Sequence, residues 1–206
     1  MKIYRYLRTF WIASALSLAL SLASLLHIVS TAFDLALNAA GITLGVVVVW
    51  ALGKMSGESA RLSRAFWCQC FNVALSAIAT VLSFLPSDSE MLSVLLALMV
   101  SAAGLFSIVS DFQLYWALDE RVVTCGYAFP ARRIRWCFYL PLVGVLLSSA
   151  VETAQIASQL EAGQEVTELA FSSTGTAVLF LCQLGALLLL ARYCIAVERF
   201  EAENVQ

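Results

Sequence analysis

Asp111 poses the plainest chemical question in this sequence. It follows 20 uncharged residues that begin at Met91. An acid inside an apolar span is rare, and it faces a bundle interior, a water-filled cavity or a charged partner. At ~1.5 Å per helical residue the preceding run covers about 30 Å. The aromatic pair Tyr115–Trp116 sets the boundary about a turn further on, so Asp111 is expected to be shallowly buried. An ion pair with Arg64 or Arg133 is the first reading of such an acid, and a proton or substrate site the second. Glu152 raises the same question at the opposite boundary. It stands 16 residues after Trp136, roughly 24 Å along a helix, where it is either solvated on a tilted helix or part of a site.

Three polar stripes accompany these acids. Ser14, Ser17, Ser21 and Ser24 recur at spacings that share one helix face, with His27 next in the series. Gln69, Asn72, Ser76, Thr80 and Ser83 form a second stripe, and Ser148, Glu152, Gln155 and Gln159 a third. Two roles suit such a face. Small serines let helix backbones approach and amides hydrogen-bond between helices, as does the GxxxG pair Gly41 and Gly45. Alternatively the polar faces line a path or a solute cavity. Packing is the reading for Ser14, Ser17, Ser21, Ser24, Gly41 and Gly45. Asp111, Gln69, Asn72, Glu152 and Gln155 are the candidates for a substrate or ion path.

Other chemistry is not encoded in recognisable form. His27 is the one histidine, which leaves no His-rich metal site and no metal set is expected. The six cysteines contain no CxxC; Cys68, Cys137 and Cys194 read as small apolar residues near the basic ends of spans. No P-loop, HExxH or GxSxG occurs, so no catalytic residue and no cofactor is assigned.

The elements that must position these residues follow from composition. Hydrophobic residues make up 61% and charged residues 13% of the chain, with mean hydropathy +0.87. A soluble domain carries about 45–50% and about 25%. Charge-free runs occupy 9–33, 35–53, 65–87, 91–110 and 169–191, and a shorter one, 136–151, continues past Glu152 to Leu160. A transmembrane helix needs roughly 20 such residues. The expected fold is all-α: a polytopic helical membrane protein with six transmembrane helices over about 10–30, 35–52, 66–85, 91–117, 136–157 and 169–195, forming a single domain over 1–206. The connections 53–64 and 119–135 are expected as loops, and the tail 198–206 as a frayed helix end. An alternative for the first run is a cleaved signal peptide, with "STA" at 30–32 as its small-residue site.

Lys and Arg number 12. Lys2, Arg5, Arg8, Lys54, Arg61, Arg64, Arg121, Arg132, Arg133, Arg135, Arg192 and Arg199 all fall on one side of this six-span layout. The positive-inside rule assigns that side to the cytoplasm, with both termini inside and the protein in the cell membrane. The net charge of −2 adds little, and the basic clusters suit topology and anionic headgroups, not nucleic acid. The phrases "RTFW" at 8–11, "RAFW" at 64–67 and "RIRW" at 133–136 open successive hairpins. They admit two readings: three two-helix repeats, or the general gathering of Trp and Arg at membrane boundaries. Either reading makes Trp11, Trp50, Trp67, Trp116 and Trp136 interface anchors.

In size and span count the chain resembles the substrate-binding membrane subunits of energy-coupling-factor transporters, or a compact ABC permease. That resemblance, one of layout, implies a small-solute transport component with an ATPase or another membrane subunit as partner. Ala15, Ala19 and Ala23 offer a small-residue docking stripe. The lipid bilayer is the certain surrounding, and self-association into a homo-oligomer is compatible with the same features. Two further classes stand beside transport: a non-transporting scaffold or regulatory subunit, and, with the least support, an intramembrane enzyme.

Overall fold

Side chains apolar on every face leave a backbone to satisfy its own N–H and C=O groups, and only a helix does so within one segment. Each long apolar run accordingly forms one. The computed structural model describes residues 3–24, 31–83, 90–161 and 173–203. Its elements are α1 (Tyr4–Ser24), α2 (Thr31–Met55), α3 (Ala60–Ser83), α4 (Glu90–Cys125), α5 (Trp136–Glu161) and α6 (Ser173–Glu203). Six helices are long and apolar enough to cross a membrane, and no strand occurs among the described residues. Large apolar side chains cover the outside, among them Val81 (66% exposed), Leu98 (63%) and Leu188 (59%). An apolar coat of this extent suits hydrocarbon and not water.

The helices form a ring. The sequential pairs α1–α2, α3–α4 and α5–α6 share the most extensive contacts, α2 meets α3 and α1 meets α6, while α4 and α5 touch only narrowly. Among the described residues, the helices meet across the ring only in the filled layer at one end, where the Tyr193 side chain of α6 reaches α4. The tight neighbours approach through glycine. A Cβ on Gly45 would stand 2.9 Å from the Val73 side chain of α3, and one on Gly144 would stand 2.9 Å from Cys182 Cβ of α6. Gly41, by contrast, has nothing within 4 Å.

One end of the ring is solidly filled. Leu7 and Phe10 of α1, Leu52 and Met55 of α2, Leu62 of α3, Leu114 and Leu118 of α4, and Leu190, Tyr193 and Val197 of α6 form a continuous buried core there. Polar bonds lock the same layer. Trp11 Nε1 donates to the Leu187 carbonyl at 3.0 Å, and the Tyr193 hydroxyl donates to the Leu118 carbonyl at 3.0 Å. The described Lys and Arg residues all belong to this end, where Arg61 pairs with Glu120 (2.7 Å) and Arg121 with Glu58 (3.0 Å).

Helices reach further into the basic connections than the loss of hydrophobicity suggests. The loops expected over 53–64 and 119–135 shrink to a 3-10 turn at Ser56–Glu58 and to the segment 126–135. Ser59 Oγ accepts the Leu62 N–H at 3.2 Å and so starts α3 early. Gly126, at φ 73, sends its N–H to the Val122 carbonyl (3.1 Å) and ends α4 late with a left-handed cap. Similarly, α6 runs to Glu203 where a frayed end was expected: Phe200 packs on Tyr127, and Glu201 accepts the Tyr4 N–H at 3.2 Å.

Candidate functional site

The polar stripes of α1 and α3 meet inside the ring, whereas Ser148, the described member of the third stripe, is buried outside the cavity lining. A partly open cavity of about 600 Å³ occupies the space that no helix fills, and the buried core forms its floor. α1 contributes Ser14, Ser17 and Ser21; α3 contributes Gln69, Asn72, Ser76 and Thr80; α4 contributes Ser107, Ser110 and Asp111. From Gln69 to Thr80 the wall rises eleven residues, roughly 16 Å along the helix. The 3- and 4-residue spacing explains the convergence: each stripe occupies one face, and the ring turns that face inward while lipid-suited faces turn out.

Asp111 sits near the floor, one residue from a buried anchor. Ser110 Oγ donates to the Ala65 carbonyl at 2.9 Å and fixes α4 against α3. The expected ion pair is not formed: the described ion pairs join Arg61 to Glu120, Arg121 to Glu58 and Arg135 to Asp119, and none reaches Asp111. Arg64 and Arg133 are both exposed. The acid that does hold a cation is Asp119, two turns further along α4 and only 3% exposed. Its Oδ2 accepts Arg135 Nε at 2.7 Å, and its Oδ1 accepts the Arg132 N–H at 2.6 Å. Asp111 is left half-buried on the cavity wall with no hydrogen-bond or ion-pair partner among the described residues.

The wall is rich in acceptors. The Ser14 hydroxyl donates to the Phe10 carbonyl (3.0 Å), and that of Thr80 to the Ser76 carbonyl (2.8 Å). Each hydroxyl spends its hydrogen on its own helix and keeps oxygen lone pairs for whatever occupies the cavity. Pro141, inside α5 and on the wall, has no N–H and so removes the usual donor to the Cys137 carbonyl; Cys137 also lines the cavity. Gln69, Asn72, Asn38 and Gln183 add amides that donate and accept. Among the described residues, no Lys or Arg belongs to the lining. The chamber therefore presents, among the described residues, the Asp111 carboxylate and many oxygens, with a few amide donors.

Of the path candidates, Asp111, Gln69 and Asn72 line this one cavity. The side chains of Glu152 and Gln155, and of Ser24 in the first stripe, lie outside the described residues, as does His27. Ser14, Ser17 and Ser21, expected to pack helices, stand on the wall; Gly41 lines it too, and Gly45 both lines it and admits α3. Among the tryptophans, Trp50, Trp67 and Trp136 are about half exposed at the basic end. Trp11 is hydrogen-bonded to α6. Trp116 instead stacks in a cluster with Phe112 and Phe138, beneath the Arg135 guanidinium at 4.9 Å. Sequence reasoning passed over Asn38 and Gln183, which belong to no stripe. A solitary amide in an otherwise apolar span was the signal that marked them.

Comparison with protein-family models, with curated proteins and with solved structures found no match to this chain.

Proposed function

We propose that the protein is a small-solute transport component of the cell membrane, with the cavity as its solute site. One observation carries the reading: a ring of six apolar helices encloses a polar chamber of about 600 Å³ instead of a packed centre. Polar groups at membrane depth are costly and are found where they serve a path or a site. The volume lies within the range of clefts that hold small ligands, about 300–1,000 Å³. A carboxylate with no partner and an oxygen-rich wall with no Lys or Arg, both among the described residues, suit a solute bearing a positive charge or several hydrogen-bond donors. The basic end faces the cytoplasm in this reading, placing both termini inside. The three hairpins that open on "RTFW", "RAFW" and "RIRW" are its repeating units, and an ATPase or a second membrane subunit supplies the energy.

Uptake across a panel of amines, amino acids and vitamins, measured in cells and in proteoliposomes, tests the proposal. Asp111→Asn removes a charged acceptor, whose hydrogen bond is worth about 1.5–3 kcal/mol. Uptake of the recognised solute then falls about ten-fold or more, and Gln69→Ala lowers it further. Unchanged uptake across the panel in both variants, with folding intact, overturns the transport reading. Orientation is checked by Gly57→Cys, which an impermeant thiol reagent reaches only after the membrane is opened.

A further inference from the structure

A second cavity lies apart from the chamber, at the basic end between the segment 126–135 and the last turns of α6. It measures about 450 Å³, and Arg133, Arg192 and Arg199 all line it. Arg192 and Arg199 are seven residues apart, two turns on one face of α6. Arg133 is brought opposite them by the loop. The Asp119 clamp on Arg132 and Arg135 holds one side of that loop, and Phe129 packs edge-on against Tyr193 of α6 at 5.4 Å. Three arginines thus line one groove whose loop is held in place by contacts that do not involve them.

None of the three has an ion-pair partner among the described residues. Among the described residues, Glu203 is the acid on the rim; it is exposed and pairs with none of them. Like charges gathered without a counter-charge repel, and an anion relieves that repulsion. The groove wall is otherwise apolar, with Phe129, Pro130, Leu189 and Ile195. Ile195 is 48% exposed and continues the lipid-facing surface of α6 through Leu188. Depth agrees. Trp11 is bonded to Leu187, so the tryptophan level crosses α6 there. Arg192 then lies about 7.5 Å beyond that level, within the headgroup layer of roughly 5–8 Å that separates hydrocarbon from water. Arg199 stands about 10.5 Å further toward water, at the outer edge of the groove.

We infer that this groove binds an anionic phospholipid of the inner leaflet, with Arg133, Arg192 and Arg199 on its phosphate and the Leu189–Ile195 wall against its first methylenes. The apolar wall running into the bilayer selects a lipid over free phosphate, and guanidinium groups suit a phosphate bidentately.

Native mass spectrometry of the full-length protein in micelles holding equal phosphatidylglycerol and phosphatidylcholine tests the site. Wild type retains phosphatidylglycerol selectively. Arg192→Gln lowers that selectivity about five-fold, the weight of one basic residue at an anionic surface. Arg192→Gln combined with Arg199→Gln lowers it about 25-fold on the same scale. Arg192→Lys retains most of it, and Arg64→Gln, an exposed arginine outside the groove, leaves it unchanged. Matched thermal unfolding among the variants shows that folding is preserved; if the double variant fails to fold, the single variants carry the comparison. Equal retention of both lipids by wild type, or undiminished selectivity in the glutamine variants, overturns the inference. So does complete displacement of the lipid by millimolar inorganic phosphate, which would mark a site for the free anion.

Discussion

At the scale of single residues, the contrast between two acids of α4 organises the account. Asp119 is buried and fully engaged by Arg135 and by the Arg132 N–H; Asp111 is half-buried and engaged by nothing described. The first is a structural acid and the second is available. Asp119→Ala leaves the Arg135 guanidinium and a loop N–H without their acceptor, and costs about 2 kcal/mol. In detergent this registers as a lowered Tm, whereas Asp111→Asn leaves Tm unchanged or raises it. A stable Asp119→Ala variant would show that the loop is held by its aromatic contacts alone. Composition could not separate these acids. Both stand on one helix near a basic boundary, and which of them meets a cation depends on how a 3-10 turn at Arg133–Arg135 folds back onto Asp119.

At the scale of helices, glycine decides where the ring is tight and where it is hollow. Gly144 faces α6 so closely that a Cβ would stand 2.9 Å from Cys182 Cβ and 3.3 Å from the Leu179 backbone. Gly144→Ala therefore forces α5 from α6 and lowers stability by about 1–3 kcal/mol. Gly41→Ala meets open space inside α2, so it leaves Tm unchanged or raises it while narrowing the chamber. Thermal unfolding of the two variants side by side checks this, and equal effects would contradict the assignment of one to packing and the other to the wall. Element type and number were legible in the sequence because charge-free runs of membrane length have few alternatives. Helix ends were less so. They are set by Ser59, Gly126 and cross-helix ion pairs, which act beyond the hydrophobic signal. The stripes of α1 and α3 were visible as periodicity, but whether they closed on each other or enclosed a space depended on the ring. No spacing along one helix reports that.

At the scale of the whole molecule, a filled floor and a hollow polar interior divide the bundle. Apolar side chains, the tryptophans and the cations gather at one end, and the chamber extends from there toward connections that lie outside the described residues. The arginine groove lies at that same basic end, on the outer side of α6 from the chamber. The account stands or falls on whether water occupies the chamber. The direct measurement is thiol accessibility in a chain whose native cysteines have been replaced, with single cysteines at Ser76 on the wall and at Leu98 on the lipid-facing surface. A small water-soluble thiol reagent labels Ser76→Cys at least ten-fold faster than Leu98→Cys, and a recognised solute slows the reaction. Equal, slow labelling at both positions would mean that the interior is dry and packed, and the chamber would have no claim to be a site.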